Sequence, residues 1–180
     1  MIARTCQPSG MAQKSPTGPM PTLRFARVET SLGPMWVVES ELGVAHSTRS
    51  EPLDALLSAL RRRFPQSVPM PDDLSGDWVE AAITGGPLPL VDLRGLPAFD
   101  AAVYRAVREV PPGQTETYGA VAAIVGSPMA ARAVGNAMAR CPLFPAVPCH
   151  RVVRASDGWS GWGSDLAIKR RLLAAERATS

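Results

Sequence analysis

The sequence predicts an α/β fold of the α+β type, with a small mixed sheet in its first half and helices in its second half. Residues 22–40 alternate between apolar and polar side chains as strands do, and the motif SLGP at 31–34 marks a turn between two strands. Residues 51–64 contain four leucines at helical spacing, followed by three arginines that suit a helix C-terminus. Beyond Pro97 the apolar spacing is helical almost throughout.

These patterns divide the chain into three parts. We predict a disordered leader over residues 1–21, because proline and glycine interrupt it and it lacks an apolar core. An N-terminal α/β domain follows over 22–95, with a third strand near residues 43–48 and a last strand near 87–95. The C-terminal helical domain is predicted over 96–180.

The second half contains a helix-turn-helix candidate. A helix beginning at Pro97 is stopped by the PPG motif at 111–113, and two short helices then flank Gly126. We predict Thr115 or Thr117 as the cap of the first short helix and Ser127 as the cap of the second. A closing helix follows over residues 165–177.

Composition says less about function than the sequence motifs do. The 180 residues carry a net charge of +3, and nearly all cations are arginine. Arginine suits phosphate and base edges, yet a GC-rich genome gives the same bias, so charge alone does not identify a nucleic-acid binder. Three cysteines without a C-x-x-C motif argue against structural zinc and fit a reducing compartment. No apolar run is long enough to span a bilayer, so we expect a cytoplasmic protein, in a bacterium, that does not contact membranes.

The motif VPCHRVV at 147–153 places Cys149 directly before His150. A thiol becomes a good nucleophile only when it ionises, which requires a cation, a base or a helix N-terminus nearby. A turn or a bridging water would let the imidazole reach the sulfur, and a carboxylate such as Glu176 could orient the ring. Alternatively, Cys149 is a small buried residue and His150 a surface one. The dipeptide alone favours this second interpretation.

The residues around the Cys-His motif favour the catalytic interpretation instead. PCHRVV, preceded by AARAVGNAM in the second short helix, resembles the O6-alkylguanine-DNA alkyltransferase family, whose members are methylated-DNA–protein-cysteine methyltransferases. The resemblance covers residues 97–176 well and the first half loosely, chiefly through ETSLGPMWVV. It implies direct-reversal DNA repair, with double-stranded DNA containing O6-alkylguanine as the partner and a monomeric protein.

The resemblance also implies the catalytic roles. Cys149 would accept the alkyl group, and His150 would take the thiol proton through a water molecule. Glu176 would hold His150, since 27 residues separate it from Cys149 as in the family. Tyr118 would protonate the leaving guanine, while the carbonyl groups of Cys149 and Val152 would hold its exocyclic amine. The thioether product is stable, so each molecule would act once, with no metal or organic cofactor.

In the family, the helix-turn-helix approaches the minor groove and the damaged base leaves the stack. Arg132 would fill the gap and Tyr118 would crowd the phosphate, although Arg132 also fits an ordinary exposed helix cation. Small residues would permit close approach, although alanine is also simply a good helix former. The predicted DNA-binding set is Arg132, Tyr118, Ala131, Ala133, Gly135 and Arg151. The predicted substrate pocket consists of Val152, Trp162, Met138, Gly163 and Ser164.

Three features depart from the family. Cys141 replaces the usual Asn, and is either a buried small residue, which is the favoured interpretation, or a second thiol. Trp162 replaces Tyr, and Ser164 and Asp165 replace two glycines. The leader is also longer than expected. Three other functions remain open: a non-catalytic protein that binds alkylated bases and recruits repair factors, a helix-turn-helix regulator with a sensor cysteine, and a cysteine hydrolase.

Overall fold

The structure is a computed structural model that describes residues 21–49, 51–156 and 165–179. Residues 1–20 of the predicted leader lie outside the described residues, and so do the predicted pocket residues Trp162, Gly163 and Ser164. The architecture is α+β, as predicted from the sequence.

The first half forms a four-stranded mixed sheet. Strands β1 (Arg24–Val28), β2 (Met35–Ser40) and β3 (Gly43–Thr48) are antiparallel neighbours, and β4 (Met70–Pro71) runs parallel to β1. The first three strands confirm the predicted alternation. The strand predicted near residues 87–95 is wrong, because this proline-rich segment makes only an isolated bridge between Val91 and Val44.

Two helices accompany this sheet. Helix α1 (Leu53–Arg63) confirms the leucine periodicity, since it buries Leu56 and Leu60 against the sheet and places three arginines in its last turn. Helix α2 (Asp77–Ile83) buries its apolar side in a second cluster, which also contains Leu172 from the closing helix. The sheet therefore packs directly on an element of the second half.

The second half consists of short helices around one apolar cluster. They are α3 (Ala98–Arg108), α4 (Tyr118–Ile124), α5 (Ala131–Ala139) and α6 (Leu166–Thr179). Strands β5 (Glu116–Thr117) and β6 (Val152–Val153) form a small parallel pair. Within the described residues, none of the helices has the length and apolar character needed to cross a membrane.

The two caps predicted for the helix-turn-helix have different outcomes. Thr117 caps α4, since its hydroxyl accepts the backbone N–H of Ala120 at 3.0 Å. The Ser127 cap is wrong, because the Ala130 N–H bonds to the Ser127 carbonyl in a tight turn and α5 begins only at Ala131. The predicted helix was thus too long by one turn.

Polar contacts fix α5 on α3. Arg140, just after α5, donates from Nε and Nη2 to the two carboxylate oxygens of buried Asp100, both at 2.7 Å. The Tyr104 hydroxyl also donates to the carbonyl of Ala137 at 2.9 Å. Charge-assisted bonds of this bidentate kind define one orientation of the two helices. They hold α5 on the cluster that contains Cys149.

Replacing Leu56 with alanine should lower the free energy of unfolding by about 2–5 kcal/mol, because the side chain is fully buried between α1 and the sheet. Leu53→Ala on the same helix is the matched control, since 40% of Leu53 is exposed, and should cost less than about 1 kcal/mol. Urea unfolding of both variants measures the difference. Equal losses would contradict the assigned packing of α1.

Candidate active site

Cys149 begins a single 3₁₀ turn, Cys149–Arg151, that leads directly into β6. The turn replaces the extended backbone that would direct neighbouring side chains to opposite sides. The Cys149 residue is only 4% exposed, and its Sγ lies 3.2 Å from the carbonyl oxygen of Val147. The sulfur is therefore enclosed by its own loop on one side and by the apolar cluster of the helices on the other.

The structure brings His150 and Glu176 together. The imidazole Nε2 lies 2.8 Å from Oε1 of Glu176, and both residues are fully buried. Helix α6 supplies Glu176, with Leu172 and Leu173 one turn earlier packed into the interior. The predicted pairing of these two residues is thus present as a direct hydrogen bond.

Arg151 completes this network and corrects a prediction. Its guanidinium donates to Glu176 from Nε and Nη2, the latter at 2.8 Å, and Nη1 donates to the Val110 carbonyl at 2.6 Å. Only 1% of Arg151 is exposed, so its assignment to the DNA-binding surface is wrong. A buried arginine needs a carboxylate and carbonyl acceptors, and here it finds both.

The network keeps Glu176 ionised. Burial raises the pKa of Glu176, but the hydrogen bonds from His150, Arg151 and the Gly113 N–H outweigh burial and set its pKa at about 2. The Gly113 bond measures 3.0 Å and comes from the PPG motif that ends α3. One carboxylate therefore connects α6, the turn of Cys149 and the loop after α3.

The protonation of His150 follows from its surroundings. Burial lowers the pKa of His150, and the charges of Arg151 and Lys169 oppose the contribution of Glu176, so the imidazole is neutral at pH 7. Because Glu176 is an acceptor only, Nε2 must carry the hydrogen of their bond. Nδ1 is then the basic nitrogen, and any proton from Cys149 has to reach that atom.

Lys169 is a functional candidate that sequence reasoning missed. This lysine of α6 is fully buried, and its Nζ donates to the Val152 carbonyl at 2.6 Å. The Cys149 carbonyl accepts the Val152 N–H. Both carbonyls expected to hold the guanine amine therefore already accept one hydrogen bond, and each retains a second lone pair. The chain has only two lysines, and this rarity was the one feature of the sequence that could have drawn attention to Lys169.

A cavity of about 640 Å³ lies between the start of α4, helix α5 and the two residues that follow β6. Four predicted residues line it: Tyr118, Ala131, Arg132 and Gly135. Tyr118 borders both the cavity and the apolar cluster of Cys149, and the β5–β6 pairing joins its neighbour Thr117 to Val153. The cavity wall is thus connected to the strand that follows the cysteine.

The other predicted residues lie elsewhere. Met138 and Val152 belong to the apolar cluster around Cys149 and do not line the cavity. Ala133 is half-buried on α5 but does not line the cavity.

Four exposed lining residues were not predicted, of which Asn136 and Arg154 have polar side chains; the other two are Gly119 and Ala155. Arg154 directly follows β6, and no sequence pattern distinguishes it from the other arginines.

Gly135 matters for the shape of this wall. A Cβ atom placed there would lie 3.9 Å from the Tyr118 ring, in ordinary contact. A larger side chain would therefore displace the ring, which explains the need for a small residue on this face of α5.

Cys141 lies next to Cys149, and both are free thiols. Burial is the main reason why the pKa of Cys141 is raised, and its hydrogen bond with Cys149 raises that pKa further. Within the described parts of the chain, no three His, Cys, Asp or Glu side chains are grouped so that they could hold a metal ion.

Residues 98–178 match the family model "6-O-methylguanine DNA methyltransferase, DNA binding domain". A methylated-DNA–protein-cysteine methyltransferase from Methanosarcina barkeri is 32% identical over 164 residues, which cover 83% of this chain and 94% of that protein. This chain belongs to the methylated-DNA–protein-cysteine methyltransferase family.

Two further comparisons place the chain within this methyltransferase family. The bifunctional transcriptional activator/DNA repair enzyme Ada of Escherichia coli is 35% identical over 161 residues, covering 86% of this chain and 45% of Ada. A crystal structure of Mycobacterium tuberculosis OGT in complex with DNA has a TM-score of 0.68 at 30% identity, with 87% of this chain and 94% of that chain covered. The chain spans about half the length of several curated relatives.

Acidification should remove the stabilisation that Glu176 provides. The pKa of its carboxyl falls from an ordinary 4.5 to about 2 in the folded protein, so its contribution is complete above pH 4.5 and is lost as the pH falls towards 2. The contribution is on the order of 3 kcal/mol, measurable by urea unfolding between about pH 2 and 7.

Glu176→Gln should be less stable at neutral pH and should lack this steep decline. The exposed Glu109→Gln is the matched control and should keep the wild-type profile. A wild-type profile in Glu176→Gln would contradict the role given to the carboxylate.

Proposed function

We propose that this protein repairs DNA by transferring an alkyl group from O6 of guanine to Cys149, once per molecule. The observation that carries the proposal is the buried hydrogen bond between His150 and Glu176, directly after Cys149 in the chain. Tyr118 packs against the apolar cluster of Cys149 and also borders the cavity. The members of the family named as methyltransferases support the same reaction.

In the proposed reaction, the proton of the Cys149 thiol passes to Nδ1 of His150, directly or through water. The sulfur then attacks the alkyl carbon, and the bond between that carbon and O6 breaks as the sulfur–carbon bond forms. The electron pair returns to the guanine, which takes a proton from the Tyr118 hydroxyl. Nucleophile, base and orienting carboxylate follow the order expected of an activated thiol.

The cavity has the properties needed for an extruded base. Its volume of about 640 Å³ lies within the range of small-molecule sites. The small residues of α5 allow close approach of the helix to DNA, and exposed Arg132 is in position to enter the stack. Arg154 adds a cation at the same wall, which suits a phosphate beside the flipped nucleotide.

The remaining functional assignments follow from the same proposal. The partner is double-stranded DNA carrying O6-alkylguanine, and a single chain contains every group that the reaction uses. We therefore propose a monomer acting in the cytoplasm. A lesion-binding role without transfer would not need the Cys149–His150–Glu176 arrangement.

Incubation with a duplex containing O6-methylguanine should increase the protein mass by one methyl group, located on Cys149 by peptide mapping. Cys149→Ser should show no increase, whereas Cys141→Ser should still be methylated. Intact mass spectrometry measures all three. Tight binding of the lesion without any mass change would replace the repair assignment with a recognition function.

Arg132→Ala should slow repair of duplex DNA by roughly tenfold or more, because the variant cannot fill the gap left by the base. Its reaction with free O6-benzylguanine should stay close to that of the wild type, since no stack has to be opened. Arg105→Ala, an exposed arginine on α3, is the control and should leave both rates unchanged. Equal losses with both substrates in Arg132→Ala would rule out a role in base flipping.

A further inference from the structure

Two cysteines of the interior lie side by side, although the proposed repair reaction uses only one. Cys141 follows α5, and its thiol interacts with that of Cys149 in the same apolar cluster. The loop between them folds back on itself, with the Val147 N–H bonded to the Leu143 carbonyl at 2.7 Å. Both cysteines that flank this loop carry free thiols.

The two cysteines differ in exposure, since Cys141 borders a surface cleft and Cys149 is only 4% exposed. Cys141 lines a cleft of about 440 Å³ together with His46, Glu51 and Arg140. Within the part of the chain that the structure describes, this cleft has no lining residue in common with the cavity of Tyr118 and Arg132. A small solute can therefore reach Cys141 from a side that does not contain Tyr118 and Arg132, the residues proposed to contact DNA.

The two thiols also have different environments. Cys149 adjoins His150, the base of the proposed reaction, whereas burial and the neighbouring sulfur raise the pKa of Cys141. Cys149 is thus the sulfur to react first with an electrophile, and Cys141 is placed to react with the product. This division into an attacking and a resolving cysteine is the arrangement that gives reversible oxidation.

We propose that Cys141 and Cys149 form a reversible disulfide when the protein meets a hydroperoxide, and that this bond protects the alkyl-accepting sulfur from irreversible oxidation. The protective consequence rests on the proposed repair function. The formation of the bond does not.

Disulfide formation by a hydroperoxide takes two steps. The Cys149 sulfur attacks the peroxide oxygen, the O–O bond breaks, and a sulfenic acid forms while an alcohol or water leaves. The Cys141 sulfur then attacks the Cys149 sulfur, and the sulfenic hydroxyl leaves with the Cys141 proton as water. Two thiols are oxidised and one hydroperoxide is reduced. A dithiol such as dithiothreitol reverses the cross-link by exchange.

The test uses the full chain with Cys6→Ser, so that only the two interior thiols remain. Hydrogen peroxide in slight excess should remove two hydrogens from the intact mass, and peptide mapping should join Cys141 to Cys149. Alkyl transfer should stop and return after dithiothreitol. Addition of oxygen at Cys149 without a cross-link would overturn the proposal.

Cys141→Ser and Cys141→Asn are the matched variants, the second restoring an amide at this position. Both should still transfer the alkyl group, yet after peroxide and dithiothreitol they should recover roughly tenfold less activity than the wild type, because their Cys149 proceeds to sulfinic acid. Equal recovery of activity in the wild type and the two variants would refute the proposal that Cys141 protects Cys149. A cross-link in a protein that never transfers an alkyl group would refute the repair function alone.

Discussion

The ionised carboxylate of Glu176 is the group on which the arrangement of the site depends. It accepts hydrogen bonds from His150, Arg151 and the Gly113 N–H, and these donors come from two segments that are distant from α6 in sequence. Removing one partner from such a buried network costs about 3–5 kcal/mol, because the remaining charge stays uncompensated. The same contact therefore positions the closing helix and determines which nitrogen of His150 is basic.

The apolar cluster of the second half sets the position of the nucleophile relative to DNA. Cys149 belongs to this cluster, and Tyr118, which packs against the cluster, forms the cavity wall together with small residues of α5. The pairs Arg140–Asp100 and Tyr104–Ala137 fix α5 on α3. The buried side of α5 packs in the same cluster as Cys149. The sulfur can remain dry because the substrate base, and not the protein, makes the large movement.

The sequence predicts the features that arise from local patterns. Leucine spacing predicts α1, and Thr117 is a correct cap because its hydroxyl acts within one turn. Burial of charged residues has no such local signal. Arg151 follows a Cys-His motif and looks like a phosphate ligand, yet the 3₁₀ turn directs it inwards to Glu176, 25 residues away. The roles of Lys169 and Cys141 likewise depend on contacts with Val152 and Cys149, which only the tertiary structure shows.

The protonation of the two ring nitrogens of His150 shows whether Glu176 orients a neutral base. The chain has only two histidines, so nitrogen-15 labelling of histidine gives two ring patterns, and the His46→Gln variant assigns them. At neutral pH we expect a neutral His150 ring with hydrogen on Nε2 and a basic Nδ1 that carries no hydrogen. A charged imidazolium would contradict the neutral base assigned to His150. Hydrogen on Nδ1 of a neutral ring would mean that Glu176 does not orient the base.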